Sequence, residues 1–335
     1  MLLLDETGDV KKGVHTVGVQ RQYSGTAGQI ENTQVVVAAA WATERGAAFV
    51  DRELYVPVSW TDDPGRCAAA GLPGDLQFAT KPALALRLVE RSLAAGRRPG
   101  WVAADEVYGN DPTLRAGLEQ HRIGYVLATS RSMRMPIGPA RVRVDALADG
   151  LPEHCWQTRP AGAGAKGPRW YQWAYLHLDD PDPPAVGQRY LLIRRNPATG
   201  EMAFYRCWAP ARVGLNALIR TAGVRWKIEK AFQTGKGLAG LDEHQVRRYV
   251  SWLRWTVLVM LAHAYLTVLA CEQPEPPAEL TLIPLTRNEI AHLLAVTQDR
   301  QHPAEHRMRW STWRRRHQHT AQRCHYQRRQ QAPVR

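Results

Sequence analysis

The chain has 335 residues, with 44 Lys and Arg against 31 Asp and Glu and a formal charge of +13. That length can bury a large core in one or two domains, and so large a positive excess favours a polyanionic partner, nucleic acid by default. Cysteines at 67, 155, 207, 271 and 324 make no paired framework and suit a reducing compartment. The N-terminus has no basic region ahead of a long apolar run, which argues against a signal peptide.

Met1-Leu2-Leu3-Leu4 reads as a short buried strand ending on Asp5, with a turn at Glu6-Thr7-Gly8. Gly8 to Gly28 holds Lys11, Lys12, His15, Arg21 and Tyr23. It suits a loop and hairpin beside a phosphate backbone, or a plain solvated turn. Strands are expected over Gln34–Trp41 and Ala48–Val56, which are β-branched and hydrophobic, and a polar loop over Trp60–Asp75. Lys81–Ala95 has Leu84, Leu88, Val89 and Leu93 at helical spacing. Trp101-Val102-Ala103-Ala104 is a second apolar strand ending on an acid, Asp105. Asp111 and Pro112 open a helix through Glu119, and Gly124–Ala128 is a further strand. This alternation predicts parallel strands joined by crossover helices.

Residues 130–210 break the pattern and read as a β-rich insertion, with a hairpin turn at Asn196–Gly200. Trp156, Trp170, Trp173 and Trp208 are expected in the core of a small sheet rather than as base-stacking platforms. Lys166, Arg169, Arg194 and Arg195 are either DNA contacts or ordinary solvated residues. From Val224 the spacing predicts a helix of about four turns, with Arg225, Glu229, Phe232 and Lys236 on one stripe. Val246–Leu269 is expected as a buried core helix, its apolar run being too short to span a bilayer. A Pro-rich connector, a helix over 287–298 and a basic tail follow. The last 36 residues carry ten Arg and one acid; Arg314, Arg315 and Arg316 beside Trp313 either order on phosphates or stay solvated. The expected divisions are 1–129 and 211–298 for a catalytic core, 130–210 for the insertion and 299–335 for the tail.

Three acids stand out within this frame. Ligand crevices of open α/β sheets lie at the carboxyl ends of strands, where Asp5 and Asp105 are expected, and Glu229 lies on a helix. Together they offer the hard oxygen ligands that Mg²⁺ prefers. The bland readings are that each Asp is a turn former and that Glu229 is a surface carboxylate paired with Arg225. Gly235-Lys236-Gly237 lacks phosphate-loop spacing, and His317, His319, Cys324 and His325 lack the spacing of a recognised zinc site.

The stretches LLLDETG around Asp5, LYVPVSW (54–60), WVAADEVYG (101–109), GYVLA (124–128) and RWKIEKAFQTGKGLAGLDEHQVR (225–247) resemble the DDE transposases of bacterial insertion sequences. The resemblance implies an α/β fold: a ribonuclease-H-like mixed sheet flanked by helices, with a β-rich insertion before the glutamate helix. It puts Asp5, Asp105 and Glu229 on the catalytic and metal-binding triad, for a two-metal site holding Mg²⁺ or Mn²⁺. Arg225 and Lys236 fall on the basic residues that accompany the glutamate and are expected at DNA, with Lys11, Lys12, Arg314, Arg315 and Arg316 joining them. Where the wider signature carries Tyr, three positions before Arg225, this chain has Ala222.

The resemblance also implies the partners: double-stranded DNA at transposon ends and target, a possible homodimer on that DNA, and no membrane. It places the protein in the bacterial cytoplasm, at the nucleoid. Transposases of this kind carry a DNA-end-binding region ahead of the first aspartate, so a chain starting at Met1 is expected to be short of it and weak in activity alone. Three functions stay open: a cut-and-paste transposase, a metal-dependent nuclease of the same fold without strand transfer, and a catalytically silent DNA-binding remnant.

Overall fold

A computed structural model describes residues 1–25, 28–137, 140–164, 167–178, 186–274 and 284–297, together with single positions 309, 313, 320 and 324. The chain forms two units, 1–274 and 275–335.

In the first unit, β1 (Leu2–Val10), β2 (Gln20–Ser24), β3 (Gln29–Ala42) and β4 (Ala47–Tyr55) lead into two short helices, α1 (Val58–Thr61) and α2 (Pro64–Ala70). Then come α3 (Lys81–Ala94), β5 (Trp101–Ala104), α4 (Glu106–Gly109), α5 (Pro112–Gln120) and β6 (Gly124–Thr129). The next segment holds β7 (Arg134–Ile137), β8 (Ala140–Arg143), α6 (Val144–Asp149), β9 (Gln157–Gly164), β10 (Gly167–His177), β11 (Gln188–Arg195) and β12 (Met202–Ala209). Three helices close the unit: α7 (Leu215–Val224), α8 (Trp226–Ala239) and α9 (Tyr249–Glu272). In the second unit α10 spans Arg287–Thr297.

Among the described residues ten strands form one mixed sheet, ordered β2-β3-β1-β5-β6-β12-β11-β10-β9, with β4 sharing the outer edge of β3. β1, β5 and β6 run parallel, while β3 is antiparallel to β1. With helices on both faces, this is a ribonuclease-H-like architecture. The period-2 alternation of strand side chains divides the core. Leu2 and Leu4 join Leu84, Leu88, Leu114 and Leu118 on one face, and Leu3 joins Ile228, Ala231 and Phe232 on the other.

Several expectations are corrected. β1 does not stop at Asp5: its pairing with β3 runs from Leu2↔Trp41 to Val10↔Thr33, so DETGDV is strand, held by a long partner that a local reading does not see. Its parallel pairing with β5, however, ends at Leu4↔Ala104. The polar stretch after Trp60 is not all loop, because Asp63 caps α2 by accepting from the Arg66 N–H, with Pro64 in the first turn.

Most of the insertion joins the core sheet, because β12 pairs antiparallel with β6 and carries β11, β10 and β9 beyond it, while β7 and β8 form a small two-stranded sheet of their own. Trp156, Trp173 and Trp208 are buried there, but Trp170 is exposed. Nor is α9 buried all round. It is long and apolar enough by length and composition to cross a membrane, yet one face packs on the sheet through Trp252, Val259 and His263. Arg52 of β4 donates to Thr256 Oγ1 at 2.9 Å and to the Leu253 carbonyl. Leu258, Leu261 and Tyr265 lie on its exposed side.

Candidate active site at the ends of β1 and β5

Asp5 follows the last residue of β1 that pairs with β5, and Asp105 follows the last residue of β5. Parallel neighbours ending in register bring the two acids side by side. Burial first, and then the charge of Asp105, push the Asp5 carboxyl up to about 7, against the opposing pull of Arg225. Burial also raises Asp105, helped by the charge of Glu6 and opposed by Arg225 and by backbone N–H groups. Those N–H groups belong to α4, whose N-cap is Asp105; its Oδ1 accepts from the Val107 N–H at 2.9 Å. Asp5 Oδ1 accepts from the N–H of Glu6 at 2.8 Å.

Alternation sends Glu6 to the opposite side from Asp5. Its carboxylate accepts from Lys81 Nζ at 2.6 Å and from the buried Tyr108 hydroxyl at 2.5 Å. This network ties β1, α3 and α4 together beneath Asp105. The strand period was the signal in the sequence for the separation of Asp5 from Glu6, whereas the contact with Tyr108 crosses 102 residues and left none. α4 itself lies hard against β6, since a Cβ on Gly109 would stand 1.8 Å from the Ala128 carbonyl oxygen.

Glu229 reaches the site through Arg225. That residue sits at the break between α7 and α8, where Gly223 presses so close to β9 that a Cβ would meet the Ala161 carbonyl oxygen at 2.1 Å. Arg225 places Nη1 3.6 Å from Asp5 Oδ2 and donates from Nη2 to Glu229 Oε1 at 2.5 Å. Glu229 is exposed and Arg225 half-buried. Among the described residues no group of three or more His, Cys, Asp or Glu is arranged to hold a metal ion. The two aspartates are adjacent, and a guanidinium stands between them and the glutamate.

The other basic residues fall elsewhere. Lys11, expected at phosphate, is buried, paired with Asp9 and donating to the His244 carbonyl at 2.5 Å, so its ammonium is engaged inside the fold. Lys12 is exposed. Lys236 donates to the Gly8 carbonyl at 3.1 Å, with Asp9 and Asp242 nearby, and burial lowers its pKa. Arg194 stacks over Tyr171 and Arg195 over Trp156. Arg314, Arg315, Arg316 and Lys166 lie outside the described residues.

The fold and the paired aspartates define a ribonuclease-H-like protein with an acidic site at its parallel strand ends. Residues 1–153 match the family of DDE superfamily endonucleases, and over this part the chain is homologous to DDE-family transposases. A probable transposase for insertion sequence element IS701 from Microchaete diplosiphon is 30% identical over 141 residues, which are 42% of this chain and 34% of that protein. The chain thus spans about a third of the length of this curated relative. A piggyBac transposase, solved in a synaptic complex with hairpin DNA, aligns over 90% of this chain and 54% of its own at 10% identity and a TM-score of 0.44, a likeness too low to carry an argument.

Proposed function

We propose that this chain carries the catalytic core of an insertion-sequence DNA transposase, which cuts and transfers DNA strands with Asp5, Asp105 and Glu229 as its acids. The observation that carries the reading is the placement of Asp5 and Asp105 directly after Leu4 and Ala104, the last paired residues of parallel β1 and β5, within the stretch homologous to DDE transposases. Burial raises both carboxyls, and the charge of Asp105 raises Asp5 further, so the site is in need of positive charge; the hard oxygens suit Mg²⁺ or Mn²⁺. Asp5 and Asp105 would hold the metal, and Glu229 would join them once Arg225 turns away from it. The bound metal would supply Lewis-acid activation of water or a 3′-hydroxyl and stabilise the leaving oxygen.

The protein's own groups do the positioning. The Glu6–Tyr108–Lys81 network fixes the turn that carries Asp105. Arg225, freed from Glu229, can meet a phosphate with its planar fork. Lys12, Lys236 and the arginines 314, 315 and 316 add charge toward the DNA backbone. The partners in this reading are double-stranded DNA at element ends and target, with a second copy of the chain on that DNA, at the nucleoid in the bacterial cytoplasm.

The test is cleavage and joining of DNA carrying the element's own ends, in Mg²⁺ or Mn²⁺, by this chain and by its Asp105→Asn variant. Joining that depends on Asp105 supports a transposase. Cleavage without joining assigns a nuclease, and metal-independent DNA binding with neither assigns a silent DNA-binding protein.

A further inference from the structure

The side of α9 turned away from the sheet is apolar along most of its length. The helix has 24 residues, about 36 Å, and buries Trp252, Val259, His263 and Leu266 on its inner side. On the outer side Leu258 and Leu261 are 63% and 65% exposed, and Tyr265 and Val268 are 52% and 50% exposed. A contiguous exposed apolar patch of this kind marks an interaction site.

Leu258, Leu261, Tyr265 and Val268 recur at alternating steps of three and four, the a and d spacing by which one helix packs along another. The same steps reach Arg254 before them and Glu272 after them. Arg254 and Glu272 are both exposed, are the only Arg or Lys and the only acid of α9, and make no side-chain ion pair among the described residues. The seam therefore reads the same from either end. Turned about a two-fold axis level with position 263, Leu258 of one helix meets Val268 of another, Leu261 meets Tyr265, and Arg254 meets Glu272. A parallel pair would instead set Arg254 against Arg254 and Glu272 against Glu272. Self-complementarity of this kind is what an isologous contact between identical chains requires, and a different partner gives no reason for it.

We propose that the outer side of α9 is an interface between two copies of this chain, which pair their helices antiparallel with Arg254 of each on Glu272 of the other. The seam between those residues is about 27 Å long. A single helix pair of that length lies at the low end of specific interfaces, so a dimer Kd on the order of 10 μM is expected. The pairing needs neither DNA nor metal and does not depend on the reading of Asp5, Asp105 and Glu229.

The experiment is sedimentation velocity on the full chain over a range of concentrations, without DNA and in chelator, at about 0.15 M salt. A monomer–dimer equilibrium is expected. Arg254→Glu and Glu272→Arg should each raise the dimer Kd about 5- to 10-fold, since an attractive exposed pair becomes a repulsive one at both ends of the seam. The double variant Arg254→Glu/Glu272→Arg restores opposite charges and should return the Kd to within about twofold of the unaltered chain. Leu261→Glu should raise it more than about 50-fold, because it carries two carboxylates into an apolar seam. A chain that stays monomeric up to about 100 μM, a dimer insensitive to Leu261→Glu, or a double charge reversal no better than the single ones would overturn the proposal. Binding of the monomer to phosphatidylcholine vesicles, lost in Leu261→Glu, would also overturn it and assign this face to a lipid surface. None of these outcomes bears on Asp105-dependent cleavage, which is measured separately.

Discussion

Arg225 holds Nη1 3.6 Å from Oδ2 of Asp5, and its other terminal nitrogen reaches Glu229. The guanidinium thereby brings positive charge to a buried aspartate whose carboxyl is raised by the like charges of Asp105 and, less, Glu6. Replacing Arg225 by Gln leaves those two acids with less compensation. The expected outcome is a loss of about 1–3 kcal/mol at pH 8 in urea unfolding, allowing for the exposure of Glu229. Arg225→Lys should recover only part of it, because one ammonium cannot present the two-pronged contact of a guanidinium.

Asp5 makes the fold sensitive to pH in a defined direction. Its carboxyl titrates near 7 in the fold, against 3.8 as its ordinary value. Between those values the folded chain keeps a proton that the unfolded chain has lost, so this group's contribution to stability falls as pH rises from about 4 to about 7 and is flat above. Asp5→Asn should accordingly stabilise the protein at pH 8 by an amount on the order of a few kcal/mol and change little at pH 4. Thermal melts at both pH values check this, and equal effects at the two would contradict it.

Tyr108→Phe removes the 2.5 Å hydrogen bond to Glu6 while keeping the buried ring. A loss of about 1.5–3 kcal/mol is expected, in the range for a hydrogen bond to a charged group. DNA cleavage should fall as well, because the turn carrying Asp105 loses an anchor. Preserved cleavage in a destabilised variant would confine Tyr108 to the fold.

Gly109→Ala tests the approach of α4 to β6. With the Ala128 carbonyl oxygen 1.8 Å from the position of the new methyl, the helix must shift. Overpacking of this kind costs about 1–3 kcal/mol, measurable by urea unfolding, whereas Gly74→Ala, with nothing near its Cβ, should be close to neutral.

What the sequence made legible follows from how local each signal was. WVAA before Asp105 and the Asp111-Pro112 cap both read correctly, because an apolar run and an N-cap are settled within a few residues. The same Asp-Pro signal at Asp63-Pro64 was available for α2, but the surrounding Gly and Pro masked it. The continuation of β1 past Asp5 depends on Val35, Val36 and Val37 of β3, some thirty residues away. Likewise, β12 joins β6 through pairs such as Phe204↔Thr129, which no local pattern specifies. The place of Asp105 after its strand was therefore readable, and so was that of Asp5 after the apolar run that pairs with β5. The burial of Lys11 against Asp9 and the place of Arg225 between Asp5 and Glu229 depend on tertiary contacts and were not.

The central claim, that Asp5 and Asp105 form a divalent-cation site, is tested most directly by titrating the protein with Mn²⁺ and following the free ion by electron paramagnetic resonance. Asp5→Asn and Asp105→Asn are each expected to weaken binding by about tenfold or more, as loss of a charged ligand should. Glu229→Gln should weaken it less, and Glu106→Gln, at an exposed acid in the first turn of α4, should leave it unchanged. Binding by the Asp5→Asn/Asp105→Asn double variant as tight as that of the unaltered chain would contradict the account.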